Sequence, residues 1–179
     1  LAGGGVGGAG LRGFAPAMAK DALPDRPDME TDEFRSSAGR QSATAASVRR
    51  GVCRLLAQMG YAPVTELTLA TGRRVDILAL GPKGEIAVIE IKSSLIDYRT
   101  DAKWEEYLDF CDRFYFAVPP EFPREVIPEE VGLVVADRYG AEILREGPVT
   151  PLPPARRKKL TLHAARVSVR RVHRFLEPD

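Results

Sequence analysis

The sequence predicts an α/β fold, a mixed sheet flanked by helices, and three observations carry that expectation. Helix-like and strand-like periodicities follow one another as helix, three strands, helix, strand, and the simplest way to bury all their apolar faces is a sheet with helices on both sides. The third strand-like run, Ile86 to Lys92, starts apolar on both faces, as an interior strand does. A Gly81-Pro82-Lys83-Gly84 turn joins it to the strand before it as a hairpin.

The elements follow in order. Between Ser42 and Met59, Val48, Val52, Leu55 and Met59 recur at helical spacing, and Gly60 supplies a C-terminal stop. Strands are expected at Val64 to Leu69, Arg73 to Leu80 and Glu85 to Lys92, with Thr71-Gly72 turning between the first two. From Asp101 to Asp112, Trp104, Tyr107, Leu108 and Cys111 share one face of an amphipathic helix, and the aromatic stripe reads as core. Phe114 to Val118 is the next strand, closed by Pro119-Pro120. Gly132 to Ala136 and Ala141 to Leu144 pair around Tyr139-Gly140. After a Pro-rich break from Pro148 to Pro154, a basic amphipathic helix runs to Leu176, with Leu162, Ala165, Val169, Val172 and Leu176 as its apolar stripe.

A chain of 179 residues with a net charge of +1 suits one domain with tails. Residues 1–39 are Gly-rich, then Pro- and Asp-rich, without a hydrophobic period, and are expected to be a disordered tail before a core at 40–150 and a linker plus helix at 151–179. The first residue is Leu, so Met18 and Met29 stand as candidate native starts, to be settled by N-terminal sequencing. Cys53 and Cys111 have neither zinc-ligand spacing nor the number of a disulfide framework, and read as reduced, mostly buried thiols. No apolar run approaches the roughly 18 residues of a membrane span, and the Gly-rich start lacks the regions of a signal peptide. A soluble cytoplasmic protein is the expectation.

Chemistry concentrates on the hairpin. A three-residue loop with Gly84 at a left-handed bulge position pairs Gly81 with Glu85, and counting back sets Asp76 opposite Glu90. Opposed residues share a face with Cβ atoms roughly 4.5–5.5 Å apart, close enough for two carboxylates to share one cation. Left alone they repel, so a proton or a metal is required. Mg²⁺ or Mn²⁺ fits, since Mg²⁺ takes one or two carboxylates, keeps waters and completes its shell with phosphate oxygens. The backbone carbonyl of Ile91 is a further candidate ligand. Lys92 lies one pleat beyond Glu90 on the same face, placed to orient a water or neutralise a phosphoryl transition state. Ser93 and Ser94 are candidate phosphate donors. Together Asp76, Glu90 and Lys92 describe a phosphodiesterase site.

At these residues the sequence resembles the PD-(D/E)XK nuclease superfamily. The runs Arg74-Val75-Asp76-Ile77, Ile89-Glu90-Ile91-Lys92-Ser93-Ser94, Asp97 to Trp104 and Cys111 to Val118 are more specifically similar to the MmcB-related bacterial DNA repair proteins, over roughly Ser42 to Leu144. The resemblance implies a restriction-endonuclease-like fold and a role in DNA repair. Val75 replaces the proline that often precedes the motif acid. The first helix offers Arg49, Arg50 and Arg54 where many relatives carry an acid, which leaves Glu66 as a candidate third ligand.

Arg99 and Lys103 are candidate phosphate contacts beside Asp101, which reads as a helix cap. Arg166, Arg170 and Arg174 on the terminal helix are candidate DNA-backbone contacts, while His163 and His173 are expected to be exposed and not metal ligands. Three functions compete: a metal-dependent DNA nuclease, an inactive module of the same fold that binds damaged or branched DNA, and a scaffold that engages other repair proteins. Asp76, Glu90 and Lys92 as a purely structural ion triad is the bland alternative to any site.

Overall fold

The computed structural model describes residues 29–100 and 103–178, with the backbone alone for 29–42. Helix α1 (Met29–Gln58) leads into β1 (Ala62–Thr68), β2 (Arg74–Leu80) and β3 (Ile86–Ile91); α2 (Leu95–Thr100) and a 3₁₀ helix (Trp104–Phe110) precede β4 (Arg113–Val118); β5 (Gly132–Ala136), β6 (Ala141–Arg145) and α3 (Pro154–Leu176) follow. Among the described residues the six strands form one sheet in sequence order. β1, β2 and β3 are antiparallel, β4 and β5 run parallel to β3, and β6 turns back. The mixed sheet, its flanking helices and the basic terminal helix are those expected from sequence.

Local chemistry explains the joints. α1 stops in a Schellman motif: Gly60 is left-handed (φ 80°), its N–H donates to Ala57 O, and Tyr61 N–H donates to Leu56 O at 2.8 Å. The β2–β3 turn closes as its residues require, with Gly84 at φ 85° and Gly81 N–H donating to Glu85 O at 2.8 Å. The register Ile77↔Ile89 through Leu80↔Ile86 follows from it. All six residues of β3 are buried, in keeping with its interior place.

Two layers cover the sheet. Leu78, Ile86, Val88, Phe114 and Phe116 pack under Tyr107, Cys111, Leu152, Leu160 and Ala164. Ile77, Ala79, Ile89, Tyr115 and Ala117 pack against Val48, Val52 and Leu56 of α1. α1 crosses the β5–β6 turn at Gly51, where a Cβ would lie 2.2 Å from Asp137 O and 2.3 Å from Gly140 O. Arg54 Nη1 donates to the Arg138 and Tyr139 carbonyls of the same turn. Gly51→Ala is therefore expected to lose about 1–3 kcal/mol in urea unfolding, because backbone rather than a mobile side chain has to yield.

Several boundaries differ from the sequence expectation. α1 begins at Met29, so the tail boundary placed at residue 39 falls inside a helix; residues 1–28 lie outside the described residues. A nucleated helix lengthens one bond per residue without needing a new buried face, which apolar periodicity does not register. The helix expected from Asp101 to Asp112 is instead the 3₁₀ helix Trp104–Phe110, the short α2 before it was not expected, and the cap assigned to Asp101 lies outside the described residues. Trp104, Tyr107 and Phe110, spaced by three, all face the core, the eclipsed period of a 3₁₀ helix, while Leu108 is exposed. Trp104 stacks on Phe114 at 5.4 Å and belongs to the core, as expected.

On α3 the packed face is Leu160 and Ala164, with Val167 partly buried. The expected stripe of Leu162, Ala165, Val169, Val172 and Leu176 faces solvent. The helix is apolar on two opposite sides, and polar bonds choose between them. Arg157 donates to both oxygens of buried Asp112 at 2.6 Å, and Arg171 donates to the Thr65 and Glu66 carbonyls of edge strand β1 at 2.5 and 2.9 Å. His163 Nε2 lies 2.8 Å from Thr68 O on the same strand, so α3 also covers a sheet edge.

Candidate active site

The β2–β3 ladder ends at Ile77↔Ile89, and the next pair, Asp76 and Glu90, is held by side chains. Ile91 N–H donates to Asp76 Oδ2 at 2.8 Å, and Asp76 N–H donates to Glu90 Oε1 at 3.2 Å. The opposition expected from the turn is thus present, with each carboxylate reaching across to its neighbour's strand. Glu90 and Lys92 are 4% and 3% exposed, the two most deeply buried charged side chains among the described residues.

A cleft of about 390 Å³ opens over them at the end of the sheet. Asp76, Glu90, Ile91, Lys92 and Ser93 form one part of its lining, Ala45 and Arg49 come from α1, and Arg74, Asp97 and Tyr107 complete it. Burial pushes the Asp76 carboxyl above its ordinary range, opposed by the Ile91 N–H, the Lys92 ammonium and a hydrogen bond with the Glu90 side chain, while Asp97 adds to the rise. Two carboxylates so close and so desolvated require a positive charge or a proton between them. Hard oxygen donors on adjacent strands, with space for waters, suit Mg²⁺ or Mn²⁺. Among the described residues no group of three His, Cys, Asp or Glu gathers as a metal cage.

The remaining sequence candidates scatter. Ser93 lies in the cleft, but its N–H and Oγ both donate to Asp97 Oδ2, at 2.9 and 3.0 Å. Ser94 Oγ accepts from Asp97 N–H at 3.1 Å, so the two serines and Asp97 cap α2 in a variant of the capping box. Arg99 and Lys103 are exposed outside the cleft lining. Arg166, Arg170 and Arg174 are exposed along α3, as is His173.

Glu66 is not part of the cleft lining; its Oε1 accepts from Arg49 Nη1 at 3.1 Å. It is flanked by the pairs Thr65↔Ile77 and Leu67↔Val75, which sets it across from Asp76 on β1, yet its backbone is left-handed at φ 50°. Side-chain alternation breaks there on both strands: Leu67 joins the layer of Val64, and Val75 the layer opposite Ile77. Such a backbone costs about 1–3 kcal/mol. An exposed ion pair returns roughly 0–1 kcal/mol.

Sequence reasoning overlooked Arg49, Arg74 and Tyr107 as cleft residues. Arg49 is one turn from Ala45 and adjacent to buried Val48, and Arg74 precedes Asp76 by two; both positions were available from helical and strand spacing once the site was centred on Asp76. The thiols take no part. Burial pushes Cys111 up to about 12 and also raises Cys53, which leaves both as poor nucleophiles at neutral pH.

Comparison with known proteins places this chain among DNA repair proteins. The chain belongs to the MmcB-like family of DNA repair proteins, whose family model matches residues 32–179. It is similar to a solved structure, the SPO1766 protein of unknown function from Silicibacter pomeroyi, with 48% identity, a TM-score of 0.74, and coverage of 75% of this chain and 92% of that one. A repair endonuclease from Pyrococcus abyssi matches at 19% identity over 58% of this chain and 41% of its own, with a TM-score of 0.26 that is too low to inform on this chain. No curated protein matches. Among the described residues no helix is long and apolar enough to cross a membrane.

Proposed function

We propose that the chain is a metal-dependent DNA nuclease of the PD-(D/E)XK type acting in repair, with Asp76 and Glu90 as the acidic ligands and the Ile91 carbonyl as a further one. The observation that carries this reading is the convergence of Asp76, Glu90 and Lys92, the last two almost wholly buried, in one open cleft. A bound Mg²⁺ or Mn²⁺ supplies Lewis-acid stabilisation of the phosphoryl group and a more acidic water. The protein's own part is to hold the two acids together across the hairpin, and to keep the Lys92 ammonium where negative charge develops on a phosphate. Arg99, Lys103 and the exposed Arg166, Arg170 and Arg174 offer backbone phosphate contacts around the cleft and along α3.

One observation favours a second reading, a module that binds damaged or branched DNA without cutting it: Arg49 occupies the α1 wall, Glu66 stays outside the cleft lining, and the third acid of the lining, Asp97, is engaged by Ser93 through Oδ2. Incubating the full chain with duplex, single-stranded and branched DNA in Mg²⁺ or Mn²⁺ separates the two. Cutting that disappears in Asp76→Asn supports the nuclease. Wild-type protein that binds these DNAs and cuts none with either metal overturns it in favour of the binding module, and loss of DNA binding when the exposed Arg166, Arg170 and Arg174 are together changed to Gln, with the urea midpoint unchanged, marks α3 as a contact.

A further inference from the structure

Glu66 is the one non-glycine residue with positive φ among the described residues, and no turn explains it. It lies within edge strand β1 beside the cleft acid Asp76. Its backbone is gripped from outside by Arg171 of α3, which donates to the Thr65 and Glu66 carbonyls, and its carboxylate reaches Arg49, which lines the cleft. The Arg49 and Glu66 side chains are 39% and 48% exposed, so their pairing stabilises the fold little, while the backbone that delivers it is strained. The backbone conformation lets Leu67 reach the core, but stability does not account for the ion pair itself. Positioning does: a guanidinium carries five N–H donors, Glu66 engages Nη1 through one oxygen, and the rest of the fork matches the oxygens of a phosphate.

We infer that Arg49 is a phosphate-binding subsite for the nucleic-acid strand on the α1 wall of the cleft, and that Glu66 and Arg171 are positioning residues that hold it there. The inference rests on the cleft receiving a nucleic-acid phosphate, and is independent of whether that phosphate is cut. It assigns the arginine on α1 the task of gripping the strand, and takes Glu66 out of the candidate metal ligands. α3 is thereby tied to the site through β1.

The test measures binding of fluorescent 30-nucleotide single-stranded and duplex DNA to the full chain by anisotropy across a salt series, with Ca²⁺ in place of Mg²⁺. Arg49→Ala is expected to weaken binding about tenfold and to shrink the salt slope by about one, with Arg49→Lys restoring the slope but only part of the affinity. Glu66→Gln and Arg171→Gln are expected to weaken binding in the wild-type background and to have no effect in the Arg49→Ala background. Unchanged affinity and slope in Arg49→Ala and Arg49→Lys overturn the subsite. A Glu66→Gln or Arg171→Gln effect that persists without Arg49, or a loss of Mn²⁺ affinity in Glu66→Gln, overturns the positioning role. Wild-type protein that binds through Arg49 and still cuts no duplex, single-stranded or branched DNA when Mg²⁺ or Mn²⁺ replaces Ca²⁺ ends the nuclease reading and leaves the subsite standing; wild-type protein that binds neither DNA overturns both.

Discussion

Lys92→Ala is expected to lower DNA cleavage by about 10²–10³-fold at saturating substrate while leaving Mn²⁺ affinity close to wild type. The ammonium sits in the cleft and is 3% exposed, where a preorganised charge acts with little screening from water. Asp76→Asn is expected to lose cleavage together with metal affinity, the latter by more than the about 10–100-fold that even outer partners of a metal are worth. Metal titration and single-turnover cleavage on both variants separate the roles. Equal loss of metal binding in the two would mean that Lys92 only balances the charge of the acids.

Asp112→Ala is expected to lose about 3–5 kcal/mol in urea unfolding, a large part of the roughly 5–15 kcal/mol available to a domain. Asp112 is 6% exposed and joins three segments. Its oxygens accept Ile86 N–H at the start of β3, Leu152 N–H in the Pro-rich segment, and both Nη groups of Arg157 on α3. Truncation leaves a partly buried guanidinium and two amides without their acceptor. Burial by itself would raise the Asp112 carboxyl, but the Arg157 and backbone hydrogen bonds outweigh it and hold the group below the usual carboxylate range. A depressed folded value means that this contribution is complete above the unfolded value of about 3.9 and is lost as pH falls through the folded one. Wild-type stability should therefore drop with acid below about pH 4, and Asp112→Asn should flatten that dependence.

Features set by local chemistry were legible in the sequence. The Pro82-Lys83-Gly84 loop dictated its own geometry, and with it the opposition of Asp76 and Glu90 on which the site depends. The buried run of β3 declared an interior strand. Features decided by competition between two local solutions were not. Leu160, Ala164 and Val167 compete with Leu162, Val169 and Val172 for the core, and only Asp112 and the β1 carbonyls, far away in sequence, decide between them. The Trp104, Tyr107, Phe110 series sits between α and 3₁₀ periods. The left-handed backbone of Glu66 has no sequence signal, since glutamate is an unfavourable residue for it. The capping role of Ser93 and Ser94 was not legible in the sequence, because it depends on the turn that brings Asp97 to them: Ser93 Oγ donates to Asp97 Oδ2, and Ser94 Oγ accepts from Asp97 N–H.

The most direct test of the central claim is Mn²⁺ binding to the full chain, followed by electron paramagnetic resonance, in wild type and Asp76→Asn. One ion per chain in wild type, displaced by Mg²⁺ and lost in the variant, is the predicted result. Undiminished binding in Asp76→Asn, or no binding in wild type with DNA present, would contradict the assignment of Asp76 and Glu90 as a metal site.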